Sequence, residues 1–67
     1  MEKDVIKQNQ KMYEEHGAKN RTEYISNLAD QYGVPLDMAM IAADTLGPTE
    51  DFDGLVSTLQ DYEYMGF

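Results

Sequence analysis

YGVPLDMAMIAADTLGP, residues 32–48, is the stretch whose reading decides the fold. Met38 to Ala43 are six consecutive apolar residues, with Gly33 and Pro35 before them and Gly47 and Pro48 after. The length of the punctuated segment suits a short helix, and a helix apolar on nearly every side is contacted by more than one neighbour. Pro35 or Leu36 starts it, since the first turn has no use for an N–H at proline. Asp37 falls in that turn, where a carboxylate meets the positive end of the helix dipole. The expectation is a central helix over 35–46, packed through its alanines, with methionines filling irregular gaps.

The flanks supply the packing partners. Upstream, Asn20-Arg21-Thr22-Glu23 has the pattern of an N-cap whose amide accepts from the backbone and whose Glu reaches back. Tyr24, Ile25, Leu28, Ala29 and Tyr32 then recur on one helical face, and Gly33 ends the helix by entering the left-handed region. Downstream, TEDFDG (residues 49–54) leads into Leu55. Phe52, Leu55, Val56, Leu59 and Tyr62 form a second stripe, with Glu50, Asp51 and Asp53 at its N-terminal end. Residues 2–16 read as a first helix with a thin stripe of Val5, Ile6, Met12 and Tyr13, closed by His16 and Gly17. Nothing reads as a strand. The expected fold is all-α: three core helices at about 20–32, 35–46 and 50–63, plus an N-terminal helix at about 2–16, in one domain. Residues 1–19 form a peripheral helix and linker in this reading.

Composition narrows the function. The chain has 67 residues, 42% of them hydrophobic and 27% charged, which places it with folded rather than disordered chains. It has no cysteine, which removes disulfides and thiolate chemistry together. Its longest apolar run is far below the roughly 18 residues of a spanning helix, so a cytoplasmic protein away from the membrane is expected. The net charge of −8 is unevenly placed. Every cation (Lys3, Lys7, Lys11, Lys19, Arg21) lies in the first 21 residues, and the rest carries nine carboxylates with no Lys or Arg.

Leu28, Ala29, Tyr32, Gly33, Val34 and Ala39 occupy small and apolar positions like those of a helix-turn-helix, which this segment resembles in spacing. That resemblance implies a geometry. The helix that would read bases presents Pro35, Leu36, Asp37, Met40 and Ile41, with no Arg, Lys, Asn or Gln for base edges, and no cations stand opposite phosphates. Direct nucleic-acid binding is therefore not expected. Tyr32-Gly33-Val34 also stands where a ubiquitin-associated domain has its Met-Gly-Phe loop, from which it departs at two positions. Ala39, Ala43 and Leu59 are similar to helix residues of that family. This second resemblance implies a compact three-helix core and, as a function, ubiquitin binding. The block Gly47 to Leu55 is similar to short acidic bacterial proteins of unassigned function, some associated with mobile elements.

Candidate chemistry is sparse. Setting Gly54 at the glycine of a calcium loop puts Thr49, Asp51 and Asp53 at ligand positions. Thr49 then lacks the first ligand's charge, and Gln60 replaces the final bidentate glutamate. No metal or other cofactor is expected on this pattern. His16, Ser26 and Ser57 have no evident catalytic partner, and no phosphate-binding glycine loop is present, so the chain is not expected to be an enzyme. Two classes remain. One is a non-catalytic protein-interaction module, possible as a homodimer, using Tyr62, Tyr64, Met65 and Phe67 with Glu50, Asp51 and Asp53. The other is an acidic decoy that occupies the basic groove of a nucleic-acid-binding protein. Exposure of Met38, Met40 or Ile41 would favour a protein interface.

Overall fold

The computed structural model describes residues 2–66. It is all-helical, with α1 Glu2–Glu15, α2 Arg21–Tyr32, α3 Leu36–Leu46, a single 3-10 turn at Pro48–Glu50, and α4 Gly54–Met65. The starts and stops follow the side chains foreseen for them. The Asn20 side chain accepts from the Glu23 N–H at 2.9 Å, and Glu23 reaches back to the Lys19 N–H at 3.2 Å. The reciprocal box is thus displaced by one residue on its return side. Helices α1 and α2 end alike. Gly17 (φ 78°) and Gly33 (φ 66°) turn left-handed. The next residues, Ala18 and Val34, each donate a backbone bond of 2.9 Å to the carbonyl five positions back. Both are buried, so each stop also adds an apolar contact.

The three-residue connection 33–35 makes α2 and α3 antiparallel neighbours. At the far end, Arg21 Nη2 donates to the Ala43 carbonyl at 3.0 Å. Helix α4 runs parallel to α2. Phe52, just ahead of α4, lies tilted against Tyr24 (ring centroids 5.0 Å), and Gln60 Nε2 donates to the Tyr32 hydroxyl at 3.2 Å. The core joins Tyr24, Ile25, Leu28 and Ala29 of α2, Ala39, Ala42 and Ala43 of α3, and Leu55 and Leu59 of α4. Only alanines of α3 are fully buried, with Met38 and Met40 packed at their edges. Small side chains let its neighbours approach closely, and larger residues on those neighbours fill the centre.

Two expectations are revised. The fourth helix begins at Gly54, not near Glu50. A helix begun at Glu50 would offer the Asp51 carbonyl to the amide four residues on. Here Pro48 O accepts from Asn9 Nδ2 (2.9 Å), and Asp51 O accepts from the Tyr24 hydroxyl (2.8 Å). The intervening backbone closes instead through three-residue bonds such as Asp51 N–H to Pro48 O and Asp53 N–H to Glu50 O. The first helix is also more than a peripheral element. Tyr13 is completely buried among Tyr24, Phe52 and Asp51, and Ala18 joins the core. Met12, expected beside it, is exposed.

Candidate functional site

The residues foreseen as a partner site separate into two places. Glu50, Asp51 and Asp53 lie in the turn before α4, while Tyr62, Tyr64 and Met65 lie at its other end. Twelve helical residues put about 18 Å between them. Phe67 lies outside the described residues.

The turn is an interior junction. Asp51 is 0% exposed and both carboxylate oxygens are occupied. Oδ2 accepts from Arg21 Nε at 2.9 Å and from the Tyr13 hydroxyl at 2.5 Å, and Oδ1 accepts from Arg21 Nη2 at 3.1 Å. The guanidinium fork thus grips the carboxylate with two parallel bonds, and Tyr13 adds a third. Asn9 Nδ2 steadies the Tyr13 hydroxyl from the other side at 3.2 Å. Among the described residues, no buried side-chain nitrogen or oxygen lacks a hydrogen-bond partner. Asp51 is therefore withdrawn from any partner-binding role. The calcium-loop alignment meets the same obstacle, because its central carboxylate already faces a guanidinium. Glu50 is half-buried and folds over Gly54, and Asp53 is exposed.

The junction reshapes the acidities around it. Burial, then the bond to Asp51, raises the Tyr13 hydroxyl to about 12. Burial, then the charge of Asp51, raises Tyr24 to about 12. Arg21 is raised chiefly by its hydrogen bond to Asp51. All three are thereby fixed in the forms that hold the junction together: neutral hydroxyls and a cationic guanidinium. His16 covers the aromatic cluster, its ring stacked on Phe52 at 5.9 Å and close to Tyr24 at 5.6 Å.

The other end of α4 is a surface. Tyr62 is half-buried against the core, whereas Tyr64 is 93% and Met65 70% exposed. Leu36, at the start of α3, is 48% exposed, and Ile41, on the outer face of α3, is 64% exposed. Of the three residues singled out in the central helix, Ile41 is thus the exposed one. Sequence reading missed Leu36 and the Asn9–Tyr13–Arg21 side of the junction. A signal for the latter was present: Arg21 is the last cation before 46 residues that contain nine carboxylates and no Lys or Arg.

No family model, curated protein or solved structure matches this chain. Among the described residues, no helix is long and apolar enough to cross a membrane.

Proposed function

We propose that this chain is a non-catalytic protein-interaction module that uses the α4 end of the bundle. The supporting observation is the pair Tyr64 and Met65, exposed to 93% and 70% on the last turn of a helix whose other face is buried through Leu55 and Leu59. Aromatic and methionine side chains are enriched at the centres of interfaces, and a rigid helix presents them with little ordering cost. Two of the groups with acid–base chemistry take part in packing: Asp51 faces Arg21, and the His16 ring stacks on Phe52.

An acidic decoy needs its carboxylates in one stripe spaced like phosphates. The exposed ones lie on every helix and in the turn before α4: Asp4, Glu14 and Glu15 on α1, Asp30 on α2, Asp37 and Asp44 on α3, Asp53 in the turn, and Asp61 and Glu63 on α4. That spread favours the interaction module.

Affinity capture from the source cell at low and high salt, with the native chain and a Tyr64→Ser/Met65→Ser variant, tests the proposal. A partner retained at high salt by the native chain and lost by the variant is the expected result. Capture that disappears with salt and ignores the variant would refute it. Light scattering decides whether the partner is a second copy.

A further inference from the structure

Three helix ends meet where α4 finishes. Tyr32 closes α2, the connection 33–35 leads directly to Leu36, and the Gln60–Tyr32 bond of 3.2 Å ties the last turns of α4 to the same place. Tyr64 stands one turn beyond Gln60. The exposed apolar side chains Leu36, Tyr64 and Met65 therefore share one end of the bundle.

The charge around them is of one sign. Asp30, Asp37, Asp61 and Glu63 are all exposed at that end. Among the described residues, none of them is in an ion pair, since the ion pairs there join Arg21 to Asp44 and to Asp51. No Lys or Arg follows Arg21 in the sequence. The backbone adds to the imbalance. Helices α2 and α4, being parallel, both point their negative C-terminal ends here, and neither has a basic residue in its last turn; the one positive helix end here, that of α3, is met by Asp37, whose Oδ1 accepts from the Met38 N–H at 3.0 Å. Asp30, Asp61 and Glu63 thus sit where a helix end favours a cation. Exposed apolar side chains that share a bundle end with carboxylates paired to no cation are complementary to a surface that is both apolar and cationic.

We infer that this end of the bundle docks a cationic amphipathic helix of a partner protein. The apolar face of that helix covers Leu36, Tyr64 and Met65, and its Lys or Arg residues reach Asp30, Asp61 and Glu63 and the two helix C-termini. This inference rests on the interaction-module reading and names the partner's chemistry.

The test is amide NMR titration of the full chain with three synthetic peptides about five turns long. One is an amphipathic Leu/Lys helix, one has the same composition with its amphipathic order scrambled, and one is the Leu/Glu counterpart. The amphipathic Leu/Lys peptide should shift amides at 30–37 and 60–66 and bind about tenfold tighter than the scrambled one. The Tyr64→Ser/Met65→Ser variant should lose about that factor while its thermal midpoint stays unchanged. Equal binding of the scrambled peptide, or shifts spread over the whole acidic surface, would overturn the inference. If the variant still loses its cellular partner while the Leu/Lys and Leu/Glu peptides bind equally, the partner chemistry is wrong and the module stands. If neither the partner nor any peptide depends on Tyr64 and Met65, both fail.

Discussion

Replacing Arg21 by methionine keeps most of the side-chain length and removes the charge, leaving Asp51 fully buried with the Tyr13 hydroxyl as its remaining side-chain donor. Removing one partner of a buried ion pair costs about 3–5 kcal/mol, because the other charge stays in the interior. A domain of 67 residues has a total stability of roughly 3–10 kcal/mol, so this one change consumes a large share of it. A loss of about 3 kcal/mol corresponds to a fall in thermal midpoint of roughly 12–24 °C at this size. The assay is urea and thermal unfolding followed by helical circular dichroism, with the urea slope checked for constancy. A triple variant, Arg21→Met with Asp51→Leu and Tyr13→Phe, removes both charges and the hydroxyl that served them. It should recover to within about 2 kcal/mol of the native chain, since apolar replacement of a buried pair is often neutral or better. An Arg21→Met variant within about 1 kcal/mol of native stability would refute the reasoning. It would mean that water reaches Asp51 and that the junction is not the interior feature described here.

Alkaline pH attacks the same junction from its hydroxyl side. Tyr13 and Tyr24, each raised from 10.0 to about 12, hold their protons more tightly folded than unfolded. Their contribution is complete below about pH 10 and is lost as the pH climbs towards about 12, by at most about 3 kcal/mol each. Helical signal and the phenolate absorbance of these two residues should therefore change together in that window. Phenolate formation centred on the ordinary value with helices intact would contradict it. Asn20→Ala removes the acceptor for the Glu23 N–H and should cost about 1 kcal/mol in urea unfolding. Gly33→Ala places a Cβ in open space but at φ 66°, so its cost, about 1–2 kcal/mol, is that of the left-handed backbone alone.

Helix positions were largely legible because they depend on local chemistry. Asn20, Gly17, Gly33 and Gly47 act on the backbone beside them, and the structure places helix boundaries within a residue or two of them. The stripes of α2 and α4 were equally plain, since burial there follows the helical period. What was not legible depends on contacts between distant positions. Asp51 sits in a run of acids that reads as a solvated helix start, and its sequence neighbours do not disclose a guanidinium 30 residues away. Tyr13 belongs to a thin stripe, and its burial is decided by Tyr24 and Phe52, not by α1. The delayed start of α4 has the same origin, because the Tyr24 side chain of α2 takes the Asp51 carbonyl that a longer helix would have used. For the surface at the end of α4, composition supplied Tyr64 and Met65. Leu36 joined them only once α2 and α4 were known to run parallel.

The Asp51 junction also bears on the order in which this chain can acquire structure. Its donors lie 38 and 30 positions before it, so closing it means closing most of the chain at once. As the polypeptide leaves the ribosome, α1, α2 and α3 emerge with Tyr13 and Arg21 facing a gap that nothing yet fills. The helices can flicker in that interval, but the rings and the guanidinium have no fixed place until Asp51 and Phe52 arrive. The junction thus closes only once the residues up to Asp51 are present, with the acid in the turn acting as its last fastener.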